Sequence, residues 1–195
     1  MAAPVKINYK MYQGSTFREI YRWESSTKRY VPITAIQKSA PVVITAPIHQ
    51  IPVGWRTKIT GVNGMKEINT GEEYVTVTAK TQDTITINSI NSIAFNAYTT
   101  GGVLEYNEPV DLTNYTARMQ IRPKLESTEI IAELTTENGL IRIDPVLSTI
   151  TVEIPAQQTE DFTFTTAVYS LELVKGLEVI PFCNGTITLI KEVTR

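Results

Sequence analysis

The feature of this sequence that most constrains its fold is a series of short strand patterns that stops and later resumes. The alternating pattern breaks off after Arg29-Tyr30 and starts again at Glu108, and the residues between form a second set of short strand patterns with their own turns. This order predicts one β domain inserted in a loop of another. We expect an outer domain of residues 1–31 and 107–195, and an inserted domain of residues 32–106.

Outside the insert, apolar residues recur with a period of two. Ala117, Met119 and Ile121 alternate with polar residues, and the same alternation recurs over 150–154 and 169–173. Turn signals follow at intervals of roughly ten residues, and only 155–161 has the pattern of a helical turn. The sequence predicts an all-β fold, with an Ig-like or jelly-roll-type β-sandwich as the outer domain.

The insert is rich in threonine and contains four or five short strand patterns. They lie at 42–45, 56–60, 74–79 and 84–88. Short strands of this kind favour a small β-barrel. Asn63-Gly64 and Gly101-Gly102 are the positions where we expect the backbone to need a positive φ.

Charge and hydropathy exclude several function classes. The formal net charge of −2 lacks the basic excess of a general nucleic-acid binder. No apolar run approaches the length of a membrane span, and Met1–Lys6 does not resemble an export signal, so we expect a soluble protein made in a cytoplasm. Basic residues outnumber acidic ones near the start, whereas acidic residues prevail after Asn107. Either the two ends offset each other in one sandwich, or the basic end meets an acidic partner surface in an oligomer.

The residues that could support catalysis do not form a recognisable constellation. His49 is the only histidine and Cys183 the only cysteine, and they are more than a hundred residues apart in different predicted domains. We interpret His49 as a loop or strand-end residue and Cys183 as a small buried hydrophobe. A lone cysteine also excludes an internal disulfide and a zinc knuckle.

The paired and isolated carboxylates favour structural roles. Glu72-Glu73 and Glu160-Asp161 are adjacent in sequence, so on a strand they would point to opposite faces, and we expect them in solvated turns. Asp111 follows a proline and precedes Leu112-Thr113-Asn114, a pattern typical of a turn-capping acid. We therefore expect no enzyme activity, no catalytic residue, no cofactor and no metal ion.

A cluster of aromatic residues near the start allows more than one interpretation. Its members are Tyr9, Tyr12, Phe17, Tyr21, Trp23 and Tyr30, interleaved with Arg18, Arg22 and Arg29. Strand alternation would put Phe17, Tyr21 and Trp23 on one face and the first two arginines on the other, as in a core strand. A protein interface, or a carbohydrate or nucleic-acid site built on aromatic stacking, is the alternative. Trp55, at the start of an insert strand, is interpreted as a core residue.

The outer domain resembles a small β-sandwich domain that recurs in virion proteins of tailed bacteriophages, similar to the N-terminal domain of upper baseplate proteins. The resemblance is carried by Gly14-Ser15-Thr16-Phe17-Arg18, Tyr21-Arg22-Trp23-Glu24, the run from Pro109 to Arg122, Val168 to Leu173, and Glu192-Val193-Thr194-Arg195. In that family a Pro-Val-Asp-Leu-Thr-Gly-Tyr motif opens a central strand. Here Asn114 stands in place of the usual glycine, and Ser170 in place of a usual aspartate.

The insert resembles the small β-barrel of the FCCH (first catalytic cysteine half) type, which is named from ubiquitin-activating enzymes and also occurs in phage structural proteins. The matching residues are Ile44 to His49, Val53-Gly54, Ile59 to Met65 and Ala97 to Gly102. In the enzymes this barrel is a non-catalytic accessory to an adenylation domain. That domain has no counterpart here, so ubiquitin activation is not implied.

Together the resemblances imply a structural component of a tailed-phage virion, at the neck or collar, the baseplate or the tail-fibre attachment. Its expected partners are other virion proteins of the portal, neck, tail or fibres, and further copies of itself in a homo-oligomeric ring. No nucleic-acid or membrane partner is expected. The expected location is the virion, after assembly in the host cytoplasm. We also expect the first residues, Met1 to Val5, to form an arm that orders only on assembly. A capsid-surface decoration protein and a carbohydrate-binding receptor module are the alternatives.

Overall fold

The computed structural model describes residues 4–191, and this part of the chain consists almost entirely of strands, turns and loops. The predicted all-β class is confirmed. In chain order the strands are β1 (Val5–Lys6), β2 (Tyr9–Tyr12), β3 (Phe17–Tyr21), β4 (Glu24–Pro32), β5 (Ala35–Gln37), β6 (Val42–Thr45), β7 (Arg56–Asn63), β8 (Val75–Thr76), β9 (Ala79–Lys80), β10 (Thr84–Ile87), β11 (Thr100–Pro109), β12 (Thr116–Arg122), β13 (Ala132–Thr135), β14 (Ile141–Asp144), β15 (Thr149–Ile154), β16 (Thr166–Lys175) and β17 (Glu178–Ile190). One α-helical turn, α1 (Ala156–Glu160), lies where the helical pattern was predicted, and a 3-10 turn spans Lys66–Ile68.

The described residues divide into two compact units. The first, here called the sandwich unit, ends at Tyr21 and resumes at Asp111, and the second, the barrel unit, comprises Arg22–Val110. Val146–Ser148, in the turn between β14 and β15, is grouped with the second unit. The predicted insert of residues 32–106 starts ten residues later and ends four residues earlier than the barrel unit. The reason is that β4 and β11 pair with each other, with Tyr30 opposite Glu105, so both flanks of the insert belong to it.

The sandwich unit contains two sheets. One has the order β1-β17-β16-β12-β13, with β2 also paired to β17, and the other has the order β14-β15-β3. The N-terminal strands β1 and β2 run parallel to β17, whereas the remaining pairs are antiparallel. Successive side chains of a β-strand point to opposite faces of its sheet. The predicted alternation of β12 is confirmed, because Ala117, Met119 and Ile121 are buried and Arg118 is exposed.

The barrel unit contains two four-stranded sheets, of order β4-β11-β7-β8 and β5-β6-β10-β9. Backbone hydrogen bonds join the two sheets at both sides. On one side, Ile33 N–H bonds to Gly102 O and Thr34 N–H to Thr45 O, and on the other, Val77 N–H bonds to Trp55 O and Thr78 N–H to Thr86 O. β4 therefore continues into β5, and β8 into β9, as two bent strands. If each of these bent strands is counted once, the eight strands form a closed antiparallel barrel of six strands.

The interior of the barrel is apolar and closely filled. Trp55 is fully buried, as predicted, together with Ile44, Ile59, Ile85 and Leu104. The Trp55 indole Nε1–H donates to Asn107 O at 2.8 Å, so the polar end of the ring has a partner. The glycines predicted to need a positive φ have one, at +80° for Gly64, +77° for Gly101 and +95° for Gly102.

Several predicted bounds differ from those observed. The pattern at 74–79 forms two short strands, β8 and β9, because the chain bends there to pass between sheets. Residues 1–3 of the predicted N-terminal arm, Met1 to Val5, lie outside the described residues. Val5 itself already pairs with Cys183 in β1. The terminal Glu192–Arg195 motif also lies outside the described residues.

Candidate functional site

His49 lies in the loop between β6 and β7, as expected, but its ring is buried. Nε2 is 3.1 Å from both Thr81 O and Thr84 O, and Nδ1 accepts from Ile51 N–H at 3.0 Å. Two carbonyl oxygens require Nε2 to carry the proton, so the neutral tautomer satisfies every contact. Burial lowers the pKa of His49. This ring is a structural clamp for its loop, and it has no nucleophile among its hydrogen-bond partners.

The loop held by His49 contains unusual backbone. Ile48 and Gln50 have positive φ values of 54° and 56°. Ile48 is β-branched and 67% exposed, and a β-branched residue rarely adopts this conformation. The Asp83 carboxylate accepts from Ile48 N–H at 3.1 Å, and Tyr106 donates to His49 O at 2.6 Å. The clamp and these two bonds hold the strained segment in place.

Cys183 is buried in the sandwich unit, as predicted, beside three tyrosines. Tyr169 donates its hydroxyl to Ile7 O at 2.9 Å and lies 3.9 Å from Cys183 Sγ, while the Tyr9 and Tyr21 hydroxyls are 2.7 Å apart. Burial raises the pKa values of the Cys183 thiol and of all three phenols. Because the thiol is buried and the surrounding hydroxyls have partners within the chain, this cluster is an element of the core.

The aromatic cluster predicted near the start is divided by the fold. Phe17 and Tyr21 share one face of β3, as predicted, and Arg18 on the other face pairs with Glu153 at 2.7 Å. Trp23 was predicted on the same face, which is wrong: β3 ends at Tyr21, and Trp23 belongs to the barrel unit. The cluster therefore does not form one aromatic platform.

Asp111 caps a turn, as predicted. Its Oδ1 accepts from Thr113 N–H at 2.9 Å, and the hydrogen bonds from Thr113 lower the pKa of the Asp111 carboxyl. Asn114 has a φ of +64°. Asparagine tolerates this conformation better than most residues, and the phage domain that the outer domain resembles has glycine at this position.

The adjacent carboxylate pairs are exposed, as predicted. Glu72 pairs with Lys58 at 2.6 Å, and this ammonium lowers the pKa of the Glu72 carboxyl. Lys58 and Arg56 lie 5.0 and 4.7 Å from the centre of the Tyr74 ring, and Arg56 forms two 2.6 Å bonds to Glu24. This face of the barrel consists of cations and carboxylates that already have partners within the chain.

A carbohydrate-binding insert would need an exposed aromatic residue, and Trp55 and Tyr98 are the two candidates for it. Trp55 is buried in the barrel core. The hydroxyl of Tyr98, which is half-buried, lies 3.0 Å from both Ile33 O and Gly101 O. Both aromatic groups serve the packing and closure of the barrel.

Among residues 4–191 no group of three His, Cys, Asp or Glu side chains is arranged to hold a metal ion. In the same range no helix is long and apolar enough to span a bilayer.

The sandwich unit has a groove of about 550 Å³ on the outer face of its larger sheet. Lys6, Gln120, Arg122, Leu125, Val168, Tyr169, Ser170, Asn184, Gly185 and Thr186 line this outer groove. The Arg122 guanidinium donates to Gln120 Oε1 at 2.6 Å and to Ser127 O at 2.8 Å, which fixes the loop at one end of the groove. Leu125, in that loop, is 79% exposed.

A second feature lies at the turn between β16 and β17, here called the hairpin tip, Lys175–Glu178. Gly176 has a φ of +61°, and Leu177 has a relative exposure of 104%. The Lys175 ammonium folds back to 4.8 Å from the centre of the Tyr115 ring. The tip therefore presents Leu177 and Glu178 to the surroundings.

Sequence reasoning missed both surfaces. The outer groove combines β1, β12, β16 and β17, which are far apart in the chain, and no local pattern signals their meeting. The Gly176-Leu177 turn had a local signal, an apolar residue within a glycine turn between two alternating strands.

No protein-family model matches this sequence, and no curated protein matches it with significance.

Proposed function

We propose that this protein is a structural component of a tailed-bacteriophage virion, at the neck or collar, the baseplate or the tail-fibre attachment. It acts through protein–protein contacts in a symmetric assembly with other virion proteins. The proposal rests on the sequence resemblances of the two parts.

The observation that supports this proposal is the nesting of a closed barrel within the sequence of a β-sandwich, with most of the motifs quoted for each part lying in the corresponding unit. The run from Pro109 to Arg122 forms the end of β11, the Asp111 turn and β12. The residues from Ile59 to Met65 form the end of β7 and its glycine turn. Motifs of this kind specify turns and core positions, so they support a scaffold role more directly than a chemical one.

The distribution of polar groups also favours a contact role. His49 and Cys183 are buried in separate units with structural partners, and the cations on the barrel face are paired. In contrast, β3, β13 and β14 are edge strands of the sandwich unit within the described chain. An edge strand has backbone N–H and C=O groups along one side that a neighbouring sheet can pair with.

The experiment is to locate the chain in purified particles. Tails are separated from filled heads, and the copy number of this chain in each fraction is measured by mass spectrometry against major tail and capsid proteins. A few to about a dozen copies travelling with tails is the expected result for a ring component.

Other outcomes discriminate among the alternatives. Hundreds of copies on heads would make the chain a capsid decoration protein. Absence from both fractions would overturn the virion proposal. A matched preparation from particles that lack the gene provides the background, and glycan binding by the purified chain would favour the receptor module.

A further inference from the structure

The hairpin tip has the features of a contact element rather than of a solvated turn. A two-residue turn with glycine first is ordinarily completed by a polar residue, because both central side chains face solvent. Here the second position is Leu177, which is as exposed as in an extended chain. Glu178 follows it, and no ion pair of Glu178 is found among the described residues. The tip therefore presents an aliphatic side chain next to a carboxylate.

The outer groove is complementary to this pair. Val168 and Leu125 provide aliphatic surface, and Lys6 and Arg122 provide two positive charges. No carboxylate lines the groove, and within residues 4–191 neither cation forms an ion pair. A Leu-Glu segment would bury apolar surface in the groove and place its carboxylate near Lys6.

The tip cannot occupy the groove of its own chain. Val168 and Ser170 line the groove, whereas β16 reaches the tip at Lys175, five to seven residues further along the same strand. At about 3.3 Å per residue, this separates the two features by about 17–23 Å. A leucine side chain cannot span that distance, so the occupant must come from another molecule.

We propose that the outer groove of one molecule binds the hairpin tip, Leu177-Glu178, of a second copy of this chain. The contact is head-to-tail, because the tip and the groove are different surfaces of the same unit. Repeated head-to-tail contacts close into a ring when the rotation between copies is suitable. This inference deepens the proposed function, on which it rests, by naming a contact between neighbouring copies.

Self-association of the full-length chain is measured by native mass spectrometry and sedimentation velocity over a range of concentrations. We expect a closed oligomer of one stoichiometry. Leu177→Asp is expected to weaken the association at least tenfold, because it replaces the inserted aliphatic group with a charge. The matched control is Ile93→Asp, which alters an exposed aliphatic residue of the barrel unit and should leave the association unchanged.

Charge reversal provides a second measurement that does not depend on Leu177. Lys6→Glu and Glu178→Lys should each weaken the oligomer, and the double variant should regain most of the loss if the two side chains meet across the contact. Circular dichroism of each variant checks that the fold is retained.

Three results would overturn the contact: a monomeric wild type at every concentration, an oligomer unaffected by Leu177→Asp, or a double variant no stronger than the single ones. An open series of sizes would overturn the closed ring. Each of these leaves the virion proposal intact if the chain is found in tails, so the two failures are distinguishable.

Discussion

The two units differ in whether their sheets have unpaired edge strands. In the barrel unit, two bent strands pass from one sheet to the other. The hydrogen bonds of Ile33 and Thr34 close one junction between the sheets, and those of Val77 and Thr78 close the other. In the sandwich unit, two separate sheets end in edge strands, and the outer face of the larger sheet has an open groove. A closed barrel satisfies its own backbone, whereas an open sheet retains groups that a neighbour can pair with. In the assembly that we propose, this difference favours the sandwich unit as the part that contacts its neighbours and the barrel unit as a spacer or second contact.

The largest expected effect is a loss of stability of the barrel unit when a side chain is removed from its core. Trp55→Ala removes a fully buried side chain, which typically costs about 3–5 kcal/mol of stability. Hydrogen exchange followed by mass spectrometry should show loss of protection in peptides from β6, β7 and β10.

Peptides from β12, β16 and β17 serve as the internal reference for that measurement, and they should keep their protection. Trp55→Phe is the matched variant, and it should cost less because it retains much of the ring volume. A cost below about 1 kcal/mol for the alanine variant would contradict the role of Trp55 as a core residue.

The second prediction concerns how the N-terminal strands are attached in the sandwich unit. An added Cβ at Gly185 would lie 1.9 Å from Ile7 O, so Gly185→Ala must displace the segment between β1 and β2. Overpacking of this kind typically costs about 1–3 kcal/mol. We expect faster hydrogen exchange at β1 and β2 and a lower denaturation midpoint.

Gly14→Ala is a suitable control, because nothing lies within 4 Å of a Cβ added there. Because Gly14 has a φ of +78°, the alanine variant should still lose about 1–2 kcal/mol of stability. Hydrogen exchange at β1 should be unchanged. Equal exchange at β1 in both variants would show that the close approach to Ile7 is not what holds the strand.

The third prediction concerns the pH dependence of the barrel. Burial lowers the pKa of His49 in the folded state below its ordinary value near 6.5, although the hydrogen bonds to the Thr81 and Thr84 carbonyls oppose this shift. The unfolded chain then binds the proton more readily, so stability is complete above about pH 6.5 and declines as the pH falls towards the folded-state pKa. The slope for one proton is at most about 1.4 kcal/mol per pH unit.

Denaturant midpoints between pH 7.5 and 5.0 measure this decline in the wild type and in His49→Gln. The variant is expected to be less stable at pH 7.5, because it loses the clamp, and to have a flatter profile. An equally steep profile in both proteins would assign the acid sensitivity to other groups.

The smallest expected effect is a change in stability at two positions with a positive φ, one in each unit. Ile48→Asn should stabilise the barrel unit by about 1 kcal/mol, because asparagine tolerates a positive φ better than a β-branched residue. The reciprocal change, Asn114→Ile, should destabilise the sandwich unit by a similar amount. Thermal denaturation of both variants checks the opposite signs, and a destabilising Ile48→Asn would contradict the backbone argument.

Local features of the fold were predictable from the sequence because they depend on near neighbours. The alternation of Ala117, Met119 and Ile121 determines which face of β12 is buried, whatever strand lies beside it. The positive φ of Gly64 likewise follows from the chemistry of two or three adjacent residues, and so does the hydrogen bond from Thr113 N–H to Asp111. The alternation and turn spacing of the whole chain also determined the all-β class.

The tertiary structure alone decided which strands pair and what they enclose. The period-two pattern does not specify a partner, so Tyr30 was assigned to the outer domain although it pairs with Glu105 in the barrel unit. The burial of His49 depends on Thr81 and Thr84, which come from another turn. The outer groove likewise exists only because strands distant in sequence become neighbours in one sheet. Pairing between distant strands depends on the packing of the whole chain, and a local pattern does not contain that information.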